Sequence, residues 1–154
     1  MVLTRRPLGE PAPDVEVRPV ETLEQMREAQ QIAHVAFELP AEALDELLRA
    51  AEDSLTADGR DGATFLAYVD ERPVARATAM YTDHGVLLFG AATLPDARGR
   101  GAYRALVRAR WDVAVRRGTP VLVTHAGAMS RPILRRLGFD EIAEIRILLD
   151  EFAR

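Results

Sequence analysis

The segment Leu94-Pro95-Asp96-Ala97-Arg98-Gly99-Arg100-Gly101-Ala102-Tyr103-Arg104-Ala105-Leu106 carries the clearest chemical signal in the chain. It follows a strongly apolar run and opens a helical stripe. Glycine lets the backbone turn tightly and leaves amides uncovered. A helix start adds unpaired N–H groups and a partial positive charge. Together these features make a cradle for phosphate. The plain alternative is a strand–helix connection with solvated arginines.

The identity of the phosphate ligand is narrowed by what is missing. Gly99-x-Gly101 lacks the third glycine of a dinucleotide fingerprint, since Arg104 stands there. All 20 basic residues are Arg. Without Lys there is no Walker A lysine, Schiff base or pyridoxal anchor. Without Cys there is no thiol nucleophile, disulfide, zinc ribbon or protein-ligated iron–sulfur cluster. His34, His84 and His125 are widely spaced, so no dedicated metal site is expected.

Charge is divided along the chain. Residues 1–62 hold six Arg and fourteen acids, whereas residues 96–136 hold ten Arg against Asp96 and Asp112. The basic half is suited to an anion, and nucleic acid, a membrane surface and a phosphorylated cofactor are the candidates.

The elements that position the segment follow from periodicity. Residues 1–13, with three prolines and a glycine, read as a flexible lead-in, and 14–154 as one domain. A first strand is expected near 14–20. Thr22-Leu23-Glu24-Gln25 reads as a capping box for a helix whose stripe is Leu23, Met26, Ala33 and Phe37. A second helix begins near Pro40, and Asp58-Gly59-Arg60-Asp61-Gly62 ends it. The period then becomes two, predicting strands over 63–70 and 74–82 and a buried central strand over 86–94. After the glycine loop, Tyr103, Leu106, Val107, Trp111 and Ala114 share one helix face. A strand at 119–125, a short helix at 129–137 and a final strand at 139–149 complete the order. The fold class is an α/β (α+β) sandwich, with a mixed, mostly antiparallel central sheet and helices on both faces.

Arg98-Gly99-Arg100-Gly101-Ala102-Tyr103 resembles the Gln/Arg-x-x-Gly-x-Gly/Ala signature of the GNAT superfamily of N-acetyltransferases, with Tyr at the last position. Leu137-Gly138-Phe139 resembles that family's Leu-Gly-Phe before the last strand, and the element order agrees from residue 14 to about 149. The resemblance implies a GNAT-like acyl-CoA N-acyltransferase fold, in which the 86–94 strand parts from the 119–125 strand to admit acetyl-CoA. It implies that pantetheine pairs with backbone near Ala92, Thr93 and Leu94. Amides of Arg98, Gly99, Arg100, Gly101, Ala102, Tyr103 and Arg104 would hold pyrophosphate. It further implies direct acetyl transfer to an amine of a small molecule or exposed protein amine, with acetyl-CoA as cosubstrate and no metal.

The family's usual tyrosine acid falls at Leu134, and its usual strand glutamate base is missing. His125, at the expected parting of the strands, is the candidate base, because imidazole changes charge near neutral pH. The alternative is a pocket-lining histidine. Ser130 is either a pantetheine contact or a helix cap. The missing acid and base leave a second reading open, a non-catalytic acyl-CoA-binding or sensor domain. Nucleic-acid binding is disfavoured, because the arginines gather at the phosphate loop instead of alternating with aromatic residues. The acidic half suggests a cationic acceptor such as a polyamine, an aminoglycoside or a protein N-terminus. No membrane span or secretory signal is read, so a cytoplasmic protein is expected, and a homodimer is left open.

Overall fold

Thr22 starts the first long helix as its spacing predicts. Its hydroxyl accepts the Gln25 amide at 3.2 Å, and the Gln25 side chain accepts the Thr22 amide at 3.1 Å. The computed structural model describes residues 1–10, 12–56 and 61–146, over 52–56 by backbone alone. Strands β1 (Val2–Leu3) and β2 (Glu16–Pro19) precede helices α1 (Leu23–Ala36) and α2 (Ala41–Thr56). Strands β3 (Gly62–Val69), β4 (Arg72–Thr82) and β5 (Gly85–Thr93) follow, then helix α3 (Ala102–Arg116), strand β6 (Leu122–Thr124) and helix α4 (Arg131–Arg136). The sheet order is β1-β6-β5-β4-β3-β2, and only β5–β6 is parallel. The expected mixed, mostly antiparallel sheet is therefore present.

Each sheet face buries its own cluster. Ala67, Ala75, Ala77 and Ala79 pack with Leu106, Val107, Trp111 and Leu134 of α3 and α4. Leu66, Tyr68 and Ala92 pack on the other face with Met26, Ala29 and Ile32 of α1 and Ala51 of α2. The alternation in β4 sorts Arg76, Thr78 and Met80 onto the α1 face and the alanines onto the α3 face. Among the described residues, no helix is long and apolar enough to cross a membrane.

Several expectations need correction. Leu23 and Phe37 are 37% and 48% exposed, whereas Gln30, a polar residue outside the expected stripe, is buried. Strand β4 begins at Arg72, because Asp70 and Glu71 make a two-residue turn with φ of 51° and 59°. The 86–94 strand is central but open on one face, where Phe89 is 45% exposed.

The final strand expected over 139–149 is reduced, among the described residues, to one bridge between Val2 and Asp140. The edge of β6 that it needs is filled by β1, which pairs Val2 with Val123 and Leu3 with Leu122. Residues 147–149 lie outside the described residues, as does most of the turn expected at 58–62. Two described points of the lead-in contact the domain, and Asp14 just after it makes a third. Leu3 is fully buried, the Leu8 amide donates to the Leu137 carbonyl at 3.0 Å, and Asp14 pairs with Arg100 at 3.2 Å.

Candidate active site

Strands β5 and β6 pair through Val86–Leu122, Leu87–Val123 and Leu88–Thr124, and then part. The Thr124 hydroxyl closes the last rung by donating to the Leu88 carbonyl at 3.0 Å. Beyond that point β5 continues to Thr93 with β4 as its neighbour, pairing Phe89 with Thr78, Ala92 with Arg76 and Thr93 with Ala75. Among the described residues its other edge has no strand beside it, so extended backbone is available to an amide-bearing chain.

The β4–β5 register shifts between Arg76 and Thr78, and Gly90 on β5 has φ of +57°. This bulge is braced from both faces. Arg110 of α3 donates to the Thr78 carbonyl at 3.2 Å, and Arg76 donates to the Thr78 hydroxyl at 2.8 Å. Burial pushes both guanidinium groups down to about 10, and the charge of Arg76 adds to the effect on Arg110.

At the end of β5, Pro95–Ala97 forms a single 3-10 turn. Gly99 and Gly101 then take φ of +82° and +89°, which only glycine adopts without strain. Gly101 is the N-cap of α3 and offers no capping side chain. The first amide of the helix to bond back is that of Ala105, to the Gly101 carbonyl at 3.0 Å. The amides of Ala102, Tyr103 and Arg104 have no carbonyl one turn earlier. No atom lies within 4 Å of where a Gly99 side chain would begin, so the outer rim is open. Gly101 is covered from the N-terminal segment, since a Cβ there would lie 2.9 Å from the Ala12 methyl. Arg100 is paired with Asp14 and Asp70, while Arg98 and Arg104 form no ion pair among the described residues. The chain thus fits a diphosphate through backbone amides and two unpaired arginines.

The remaining expected residues lie on β5, on α3 and along the segment from the end of β6 into α4. Ala92 is buried, and Thr93 and Leu94 are half-buried on the strand that leads to it. The Leu94 amide is spent on the Val74 carbonyl at 2.9 Å. Tyr103 is half-buried against the core, and burial raises its phenol above the ordinary value. His125 is exposed, one residue past the last β5–β6 pair. Ser130 makes no side-chain cap; its hydroxyl donates to the Gly127 carbonyl at 3.4 Å. Leu134 is fully buried and has no proton to give.

Arg76 and Arg110 are the site-adjacent residues that the periodicity alone does not single out. The signal for Arg76 was present, as a charge inside the alternation Val74–Thr82. Alongside the loop, α1 and the starts of β4 and the loop enclose a groove of about 560 Å³ with Ile32, Pro73 and Leu94 among its walls.

A parted strand pair leading through a glycine turn to bare helix amides is the architecture of an acyl-CoA-dependent acyltransferase. Residues 23–139 match the acetyltransferase (GNAT) family, and the chain belongs to that family. A search of curated proteins returns no match. Solved structures with a similar fold include the aminoglycoside N-acetyltransferase AAC(6')-Iy in complex with CoA (TM-score 0.72, 21% identity, covering 88% of this chain and 94% of that one). A predicted acetyltransferase with acetyl-CoA from Clostridium acetobutylicum is similar at TM-score 0.70 and 17% identity, covering 88% and 96%. The aminoglycoside 6'-N-acetyltransferase AAC(6')-Ih from Acinetobacter baumannii is similar at TM-score 0.70 and 18% identity, covering 90% and 99%.

Proposed function

We propose that the protein transfers acetyl from acetyl-CoA directly to an amine of a small molecule or an exposed protein amine. The observation that carries this reading is the free edge of β5 continuing into the open amides of the Gly99–Arg104 turn. CoA and acetyl-CoA in the complexes of similar fold support the choice of cosubstrate. When bound, acetyl-CoA supplies an activated acetyl carbonyl. The β5 edge from Phe89 to Thr93 would align its pantetheine arm, and the amides from Arg98 to Arg104 would hold the diphosphate. Ser130 joins them through a hydroxyl only weakly engaged by Gly127.

The amine must be neutral to attack. His125 stands where the strands part and takes the amine's proton. The amine nitrogen bonds to the acetyl carbon, the carbon–sulfur bond breaks, and CoA leaves as the thiol with the balancing proton. Leu134 supplies no acid, so the proton released by the nitrogen reaches the departing sulfur by way of His125 and water. No covalent enzyme intermediate is required, in keeping with a chain that has no Cys.

The acidic first 62 residues support an acceptor that arrives as a cation, and the aminoglycoside enzymes of similar fold make amino sugars members of a test panel. Calorimetry with acetyl-CoA followed by thiol release over an amine panel tests the reading. Binding with amine-dependent release supports it, and binding with no release from any amine contradicts it.

A further inference from the structure

Arg76 is a buried cation whose only hydrogen bond among the described residues goes to the Thr78 hydroxyl. It is 8% exposed, and its Nε lies out of water without a partner. Among the described residues no carboxylate pairs with it, although buried charges are ordinarily paired. It neighbours a second buried guanidinium, Arg110, so positive charge is concentrated at the bulge.

The location is specific. On the α1 face, Arg76 lies between Leu66 and Ala92, its register partners, which are buried under α1. Further along the same face the sheet is uncovered, with Met80 and Phe89 44% and 45% exposed. Arg76 therefore closes the inner end of an open apolar strip. Its Nη1 lies 3.1 Å from where a Gly90 Cβ would stand, so the glycine at the bulge leaves the guanidinium its space.

We propose that Arg76 recognises a carboxylate on the acceptor, and that the acceptor is an amino-acid-like zwitterion. The inference rests on the acetyl-transfer reading and narrows its acceptor. The planar guanidinium offers paired N–H donors that match the two oxygens of a carboxylate. Because the Arg76 guanidinium occupies the space beside Gly90 on β5, the proposed carboxylate would stand few bonds from the reacting nitrogen. The acidic half of the chain attracts the ammonium end, and Arg76 holds the other.

Matched probes test this: α-amino acids of varied side chain, their amides, and the amines left by decarboxylation, each with acetyl-CoA present. Thermal unfolding reads binding, and thiol release reads transfer. At least one amino acid raises the unfolding midpoint with an affinity about 10- to 100-fold above its amide and amine, the range of hydrogen bonds to a charged group. Arg76→Gln abolishes that preference and Arg76→Lys retains part of it, while acetyl-CoA binding by calorimetry shows that both variants are folded. The inference is overturned if no amino acid binds better than its amide, or if the preference survives Arg76→Gln. Carboxylate preference without acetylation of any probe would uphold Arg76 and remove the transfer reading. Fastest acetylation of amines without a carboxylate, amino sugars included, would uphold transfer and remove the role of Arg76.

Discussion

Arg76 and Arg110 hold the same residue from opposite faces of the sheet. Arg110 donates to the carbonyl of Thr78 and Arg76 to its hydroxyl. The two bonds differ in what their loss leaves behind. Without Arg110, the part-buried Thr78 carbonyl loses a charged donor from α3. Without Arg76, the Thr78 hydroxyl still has the Thr64 hydroxyl at 3.3 Å.

Arg110→Met therefore lowers stability by about 1–3 kcal/mol, the scale of a lost charged hydrogen bond, with relief of the buried charge offsetting part. Arg76→Met stays within about 1 kcal/mol of the wild type or exceeds it, because it removes a desolvated charge and strands no backbone group. Both folded-state values, about 10, lie below the ordinary guanidinium value. Above that pH the unfolded chain holds more protons, so the wild type gains stability as pH rises through this window. Between about pH 5 and 9 both groups are charged in both states, and the wild-type minus Arg76→Met difference is flat. Denaturant titrations of both variants across pH check the order and the flatness.

Gly101→Ala places a side chain at φ +89° and 2.9 Å from the Ala12 methyl, whereas Gly99→Ala meets only strain at φ +82°. Each strained backbone costs about 1–2 kcal/mol, so Gly101→Ala is the more destabilising of the two. Gly99→Ala, with open space around it, shows its main effect as weaker acetyl-CoA binding in calorimetry. Equal binding by wild type and Gly99→Ala would remove the outer rim from the cradle.

His125→Ala lowers the rate of acetyl transfer by about 100-fold near neutral pH, the scale of a lost general base, and leaves acetyl-CoA affinity unchanged. An unchanged rate across pH would reassign the proton to water alone.

Leu3→Ala removes a fully buried side chain from the main core and costs about 2–5 kcal/mol, measured by chemical denaturation. A neutral result would mean that β1 does not hold the edge of β6 in solution.

The parts of the fold with short-range causes were legible. Thr22 and Gln25 announce a helix start because the cap is made within four residues. The Trp111 stripe and the Gly99–Gly101 turn follow from local periodicity and backbone freedom. What was hidden depends on distant partners. Arg110 sits among arginines of similar spacing, and only its bond to Thr78 across the fold separates it from the solvated ones. Val2–Leu3 is too short to show a period, yet it occupies the β6 edge that 139–149 would need. Phe37 and Leu23 match a core stripe by spacing, but the sheet beneath α1 accepts Met26, Ala29 and Ile32 instead. In the site, the glycine turn that opens α3 was readable, whereas the coverage of Gly101 by Ala12 was not.

In the proposed reaction, acetyl passes from acetyl-CoA to an amine at the parting of β5 and β6. Mass spectrometry of the amine panel alongside thiol release measures it most directly. One acetylated amine is expected for each thiol released, with neither formed when the amine is omitted. Saturable acetyl-CoA binding with no acetylated product from any amine would contradict it and would leave an acyl-CoA-binding domain without transfer.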